Sequence, residues 1–174
     1  KKLQNYQFDF IATSPVWRAR NTILPYLKTM GQKAEVWPEL REGTGMTMIL
    51  SKELPDLKGP ILNMGDEIEI PVEEQDSFTL RPDALKHYKD TPRGSEELER
   101  TAYMKYVTKH AIEVIEKRFG GSDQSILLAG HNSAGVSLLK LLLGEAPGGR
   151  AVRGLEKAGL SARHVSFVET GRAR

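Results

Sequence analysis

A chain of 174 residues, 39% hydrophobic and 28% charged, is long enough for one domain with a real core and has the make-up of an ordinary soluble globular protein. Twenty-five basic residues against 23 acidic ones leave a net charge of +2, which gives no case for a nucleic-acid or membrane surface. The absence of cysteine excludes disulfides and thiolate metal sites within these residues. The four histidines, His87, His110, His131 and His164, are far apart and show no zinc-type spacing, so neither a metal nor a cofactor is expected. No apolar run approaches a membrane span and no signal peptide is visible, which points to the cytoplasm. Lys1 to Tyr6 reads as the end of a helix, so sequence upstream of it is expected.

In chain order, Phe8 to Thr13 reads as a strand ending at Ser14-Pro15. Serine as cap and proline at the first helical position predict a helix from about Val16 to Met30, with Gly31 as its stop. Pro25 lies inside it, at a position able to kink it. Arg18 falls in the first turn, just beyond a strand. As a lone arginine it is a solvated surface group; as a guanidinium beside a strand end it is an anion clamp.

Ala34 to Trp37 is a short strand candidate, and Pro38 to Gly43 follows as a loop. Its two acids, Glu39 and Glu42, are either catalytic or merely solvated. From 44 to 93 the pattern is irregular, punctuated by Gly59-Pro60, Met64-Gly65 and Ile70-Pro71, and it is acidic. Glu67 to Ile70 alternates like an edge strand. This segment is either a lid over a site mouth or a surface excursion.

Glu96 to Phe119 carries the clearest helical pattern, with Leu98, Ala102, Tyr106, Val107, Ile112 and Ile115 on one face and Ser95 as cap. His110 lies off that stripe and is expected to be exposed and inert. Next come the turn Gly120-Gly121-Ser122-Asp123 and the apolar run Ser125 to Ala129, short enough and apolar enough for a buried strand. Gly130-His131-Asn132-Ser133-Ala134-Gly135 leads into a helical pattern through Val136, Leu139, Leu142 and Leu143, stopped by Gly144. His131 thus sits where a buried strand gives way to a helix. Ligands of parallel α/β folds gather at such strand ends, and a helix start suits an anion. The bland alternative is a hydrogen-bonded loop histidine. A Pro/Gly loop, a short turn or helix over about 152–159 and a last strand, His164 to Glu169, close the chain. His164 alternates with Val165 and Phe167 and is expected to face solvent or a partner strand. There are no internal repeats.

These residues resemble the histidine phosphatase superfamily, the phosphoglycerate mutase-like group. Ser14-Pro15-Val16-Trp17-Arg18-Ala19-Arg20-Asn21-Thr22 is similar to its Ser-Pro-Leu-x-Arg-Ala-x-Gln-Thr signature. Leu40-Arg41-Glu42 is similar to its Leu-x-Glu acid motif, and Pro92 to Glu96 loosely to its Gly-Glu-Ser helix entry. Gly130-His131-Asn132 is similar to its second-histidine motif, and Gly159-Leu160-Ser161 with the last strand to its carboxyl end. The resemblance implies a single α/β domain over 1–174, its mostly parallel sheet flanked by helices, with residues 44–93 inserted. It implies a phosphomonoester substrate, small molecule or protein, and a phosphohistidine intermediate hydrolysed by water. In those roles Arg18 clamps the phosphoryl oxygens and His131 donates to them. The Asn132 backbone N–H adds a donor at the helix start, beside Ser133. Glu42 protonates the leaving oxygen and then activates water.

The family's nucleophile stands in an Arg-His-Gly motif, and no such motif occurs in these residues. Its strand is therefore expected upstream of Lys1. Such a strand should pair with Phe8–Thr13 or Ser125–Ala129, because interior strands need partners on both edges. Asn132 replaces the usual small residue and Asn21 replaces glutamine. Three functions stay open: a phosphatase or phosphomutase; a non-catalytic phosphatase-like domain that binds a protein or a phosphorylated ligand; and other acid-base chemistry by Glu42 and His131. Glu42 is chosen over Glu39 on the motif alone. Arg18 and His131 are expected to face one pocket, within reach of a single phosphate-sized anion.

Overall fold

The computed structural model describes residues 3, 5–41, 68–84, 110–131, 138 and 165–169. Five parallel strands form one sheet: β1 (Phe10–Thr13), β2 (Ala34–Val36), β3 (Phe78–Leu80), β4 (Ile126–Gly130) and β5 (Val165–Glu169). Their order across the sheet is β3-β2-β1-β4-β5. The chain steps outward from β1 to β2 and β3, then returns to the other side of β1 for β4 and β5. This is the doubly wound pattern, and its direction reverses between β1 and β4.

Helix α1 (Trp17–Met30) packs on one face of the sheet and α2 (Ile112–Phe119) on the other. β4 shows why. All five of its residues are buried, and they alternate: Leu127 and Ala129 join the core of Ile23 and Leu27 on α1, while Ile126 and Leu128 join that of Ile115 and Phe119 on α2. A strand covered on both faces has no polar side, so it reads as a continuous apolar run. Each fully buried Leu, Ile or Phe contributes about 1.5–3 kcal/mol, which makes this double layer the main source of stability.

The mostly parallel sheet flanked by helices matches the fold class read from the sequence, and several details change. Helix α1 starts at Trp17, with Val16 in extended conformation as its cap and no side-chain cap bond. Ser14 is therefore not the cap, nor is Pro15 the first helical residue. The helix runs through Pro25 and ends at Gly31, whose φ of 63° is the left-handed stop and whose N–H donates to the Leu27 carbonyl. Trp37 lies past the end of β2, and Pro38–Leu40 is a buried 3₁₀ turn rather than open loop. Residues 68–70 form no strand; Ile68 is instead buried in the α1 core. Among the described residues of this segment the edge strand is β3, preceded by the 3₁₀ turn Val72–Glu74. His110 is half-buried and engaged with a partner, not exposed and inert, because it adjoins the buried Ala111 at the foot of α2.

The expected extra strand against β1 or β4 is overturned. β1 pairs with β2 and β4, and β4 pairs with β1 and β5, so strands of this chain occupy both edges of each. The backbone groups that called for an outside partner are already in ladders. Ser95, residues 96–109 and the 152–159 turn lie outside the described residues; of the helix expected from Val136 the structure describes Leu138, helical and buried in the core of Ile115 and Phe119.

Candidate anion site

The carboxyl ends of β1 and β4 lie side by side, with Thr13 opposite Ala129. Neighbouring strands stand about 4.8 Å apart, so residues just beyond these two ends meet although far apart in sequence. Ser14 leaves β1 with its N–H donating to the Ala129 carbonyl at 2.8 Å. Its hydroxyl oxygen accepts from the Val16 N–H at 3.2 Å, which shapes the turn into α1. Arg18 then projects from the first turn of α1 and His131 from the end of β4.

The three side chains touch. Arg18 Nε and Nη2 approach His131 Nδ1 at 3.3 and 3.2 Å, and His131 Nε2 lies 2.9 Å from Ser14 Oγ. Ser14 and His131 are 0% and 2% exposed, whereas Arg18 is half-buried and reaches the surface. A guanidinium has donors only, so Nδ1 must supply the lone pair. A neutral imidazole has one ring hydrogen, which therefore sits on Nε2 and is donated to Ser14. Burial, and then the Arg18 charge, push the His131 pKa down to about 3. Burial also draws Arg18 below its ordinary value, but a guanidinium keeps its charge at any physiological pH. A neutral imidazole against a cation leaves the trio one positive charge at neutral pH. The start of α1 adds the positive end of its dipole. The trio thus places a cation and a neutral ring together at the switch point of a doubly wound sheet, where ligands of such folds gather.

The serine–histidine pair is not a nucleophile with its base. A base needs its lone pair on the nitrogen facing the hydroxyl, and here that nitrogen carries the hydrogen.

The turn before Arg18 is held from behind. Arg20 is buried, donates from Nη1 to the Pro15 carbonyl and pairs through Nε with Glu74 at 2.6 Å. The 44–93 segment therefore reaches back to the site's support through the Val72–Glu74 turn.

Of the residues singled out from the sequence, the structure brings Arg18 and His131 together. Glu42, Asn132 and Ser133 lie outside the described residues. Glu39 is fully buried and bound to Arg81, whose Nη2 donates to Glu39 Oε1 at 2.6 Å. Burial pushes the Glu39 carboxyl up, and Arg81 pulls it back. Arg81 also pairs with Asp83 at 2.6 Å and lies over the Trp37 ring at 5.1 Å. A carboxylate sealed against a guanidinium has no path to a leaving oxygen, so Glu39 serves structure. Ser14 is the site residue that the sequence hides: before Pro15 it has the look of a helix cap, and nothing local distinguishes a capping serine from one bound to a histidine 117 positions away. Among the described residues no group of three or more His, Asp or Glu could hold a metal, and no helix is long and apolar enough to cross a membrane.

These features define a doubly wound α/β domain whose switch point brings Ser14, Arg18 and His131 together. Residues 1–58 match the family model of the histidine phosphatase superfamily (branch 1), in line with the resemblance seen in the sequence. The matched part carries Ser14, Arg18 and Glu42, and His131 lies beyond it. No curated protein and no solved structure matches the chain.

Proposed function

We propose that the chain binds the phosphoryl group of a phosphomonoester between Arg18 and His131 and hydrolyses it in the manner of the histidine phosphatases. One observation carries this reading: a cationic guanidinium and a neutral imidazole in contact at the switch point, 113 positions apart in sequence. A dianion there gains a bidentate partner in Arg18; the His131 N–H is already donated to Ser14, so Nδ1 donates to the phosphoryl group only by taking up a proton, which the dianion's charge favours. In the hydrolytic cycle a histidine nitrogen attacks phosphorus and the ester P–O bond breaks. The leaving oxygen takes its proton from Glu42. Water then attacks the phosphohistidine, gives its proton to the Glu42 carboxylate and releases phosphate. Asn132 and Ser133, at the start of the segment after His131, add donors to the phosphoryl oxygens.

A second reading, binding without hydrolysis, is favoured by one observation: both edges of β1 and of β4 are taken by strands of this chain, so a strand that carries the family's Arg-His-Gly has no place against either. Calorimetric titration with inorganic phosphate, together with p-nitrophenyl phosphate turnover and a search for acid-labile phosphohistidine, tests both. Binding with turnover and phosphohistidine is the expected result. Binding alone selects the second reading, and a silent titration overturns both.

A further inference from the structure

We infer that Ser14 is a positioning residue for His131: it receives the ring's only N–H and so fixes the edge that the imidazole turns toward Arg18. The role rests on the anion-site reading for its consequence and on geometry alone for its existence. Ser14 is itself tied at two points. Its backbone N–H is tied to Ala129, and its hydroxyl oxygen already accepts from Val16. His131 Nε2 meets that oxygen at 2.9 Å, with both residues buried. Arg18 holds the opposite nitrogen, and donates to it.

The two clamps differ in permanence. Arg18 reaches the surface and is the group an incoming anion engages. When the guanidinium turns to the anion, its hold on Nδ1 weakens, and Ser14 keeps the ring in place. Without Ser14 the Nε2–H loses the acceptor it meets at 2.9 Å, and the ring is no longer fixed in this orientation and tautomer. Threonine keeps the hydroxyl; alanine removes it.

The test uses the chain labelled with ¹⁵N-histidine, with His131 assigned by its loss in His131→Gln. Long-range ¹H–¹⁵N correlation reports which ring nitrogen carries hydrogen, and exchange with water reports whether that hydrogen is held. The expected result is hydrogen on Nε2, slow to exchange. Ser14→Ala should lose the slow Nε2–H and weaken inorganic phosphate binding about tenfold, or about 1.4 kcal/mol. Ser14→Thr should restore both. Hydrogen on Nδ1 in the unaltered chain, a fast-exchanging Nε2–H there, or a slow Nε2–H that survives Ser14→Ala overturns the assignment. If the alanine variant does not fold, the unaltered and threonine spectra decide by the same criteria. A phosphate titration that is silent in the unaltered chain fails the anion reading and leaves the ring result standing.

Discussion

Two arginines stand beyond strand ends on the same edge of this sheet, and their partners give them opposite roles. Arg81, after β3, meets the Glu39 carboxylate in a site where both side chains are almost wholly enclosed. Arg18, after β1, meets the neutral ring of His131 and remains half open to solvent. The first pair cancels its charge and seals itself. The second sets a cation against a neutral ring and reaches solvent. An arginine in the sequence says nothing about which of these it will be; the protonation state of its partner decides.

The largest expected effect breaks the sealed pair. Arg81→Met leaves Glu39 buried without its counter-charge, and losing one member of a buried pair typically costs about 3–5 kcal/mol. Glu39 Oε2 and Arg81 Nη1 are already buried without a hydrogen-bond partner, so the site has no spare partner to fall back on. Urea unfolding should show the loss as a lower midpoint. Inorganic phosphate affinity, measured where the variant is still folded, should hold, because Arg81 is not in the anion trio.

Next comes the choice between the two acids. Glu42→Gln should slow p-nitrophenyl phosphate turnover by about a hundredfold or more, the usual scale for losing a general acid-base group. Glu39→Gln should leave the chemical step nearly unchanged in the folded fraction, since its carboxylate is held by Arg81. The reverse ranking in single-turnover rates would assign the acid to the wrong member of the Pro38–Gly43 stretch.

How far the sequence reached follows from where each signal resides. The apolar run of β4 and the glycine stop of α1 were legible because both are local: one strand covered on two faces, one residue able to take positive φ. The strand β3 was not, because three residues, Phe78-Thr79-Leu80, give barely one period of alternation. Glu67 to Ile70 alternates better, yet residues 68–70 form no ladder, since Ile68 finds burial against the α1 core without one. In the site, the convergence of Arg18 and His131 was legible from two strand-to-helix transitions. The Ser14 contact and the Glu39–Arg81 pair were not, because partners 117 and 42 positions away leave no mark on the local pattern. Strand pairing was misjudged for a related reason: the partners of β1 and β4 come from β2 and β5, one of them only three residues long.

Per pH unit, the smallest expected effect sharpens the open site, and its sign follows from linkage. His131 titrates at about 3 in the folded chain, and near the ordinary value of about 6.5 when unfolded. Between those values the unfolded chain binds a proton that the folded chain refuses. Stability from this group is therefore complete above about pH 6.5 and falls as the pH is lowered toward 3, by up to about 1.4 kcal/mol per pH unit. Unfolding midpoints measured across that window should decline for the unaltered chain. In His131→Gln the titrating group is gone, and the decline should be shallower by that amount per unit. Arg18→Gln tests the same point more finely. With the guanidinium removed, burial alone depresses His131, so its NMR titration should move upward toward 6.5 without reaching it. A His131 midpoint near 6.5 in the unaltered chain would mean that the ring is not held between Ser14 and Arg18, and the contrast between the two arginines would fail with it.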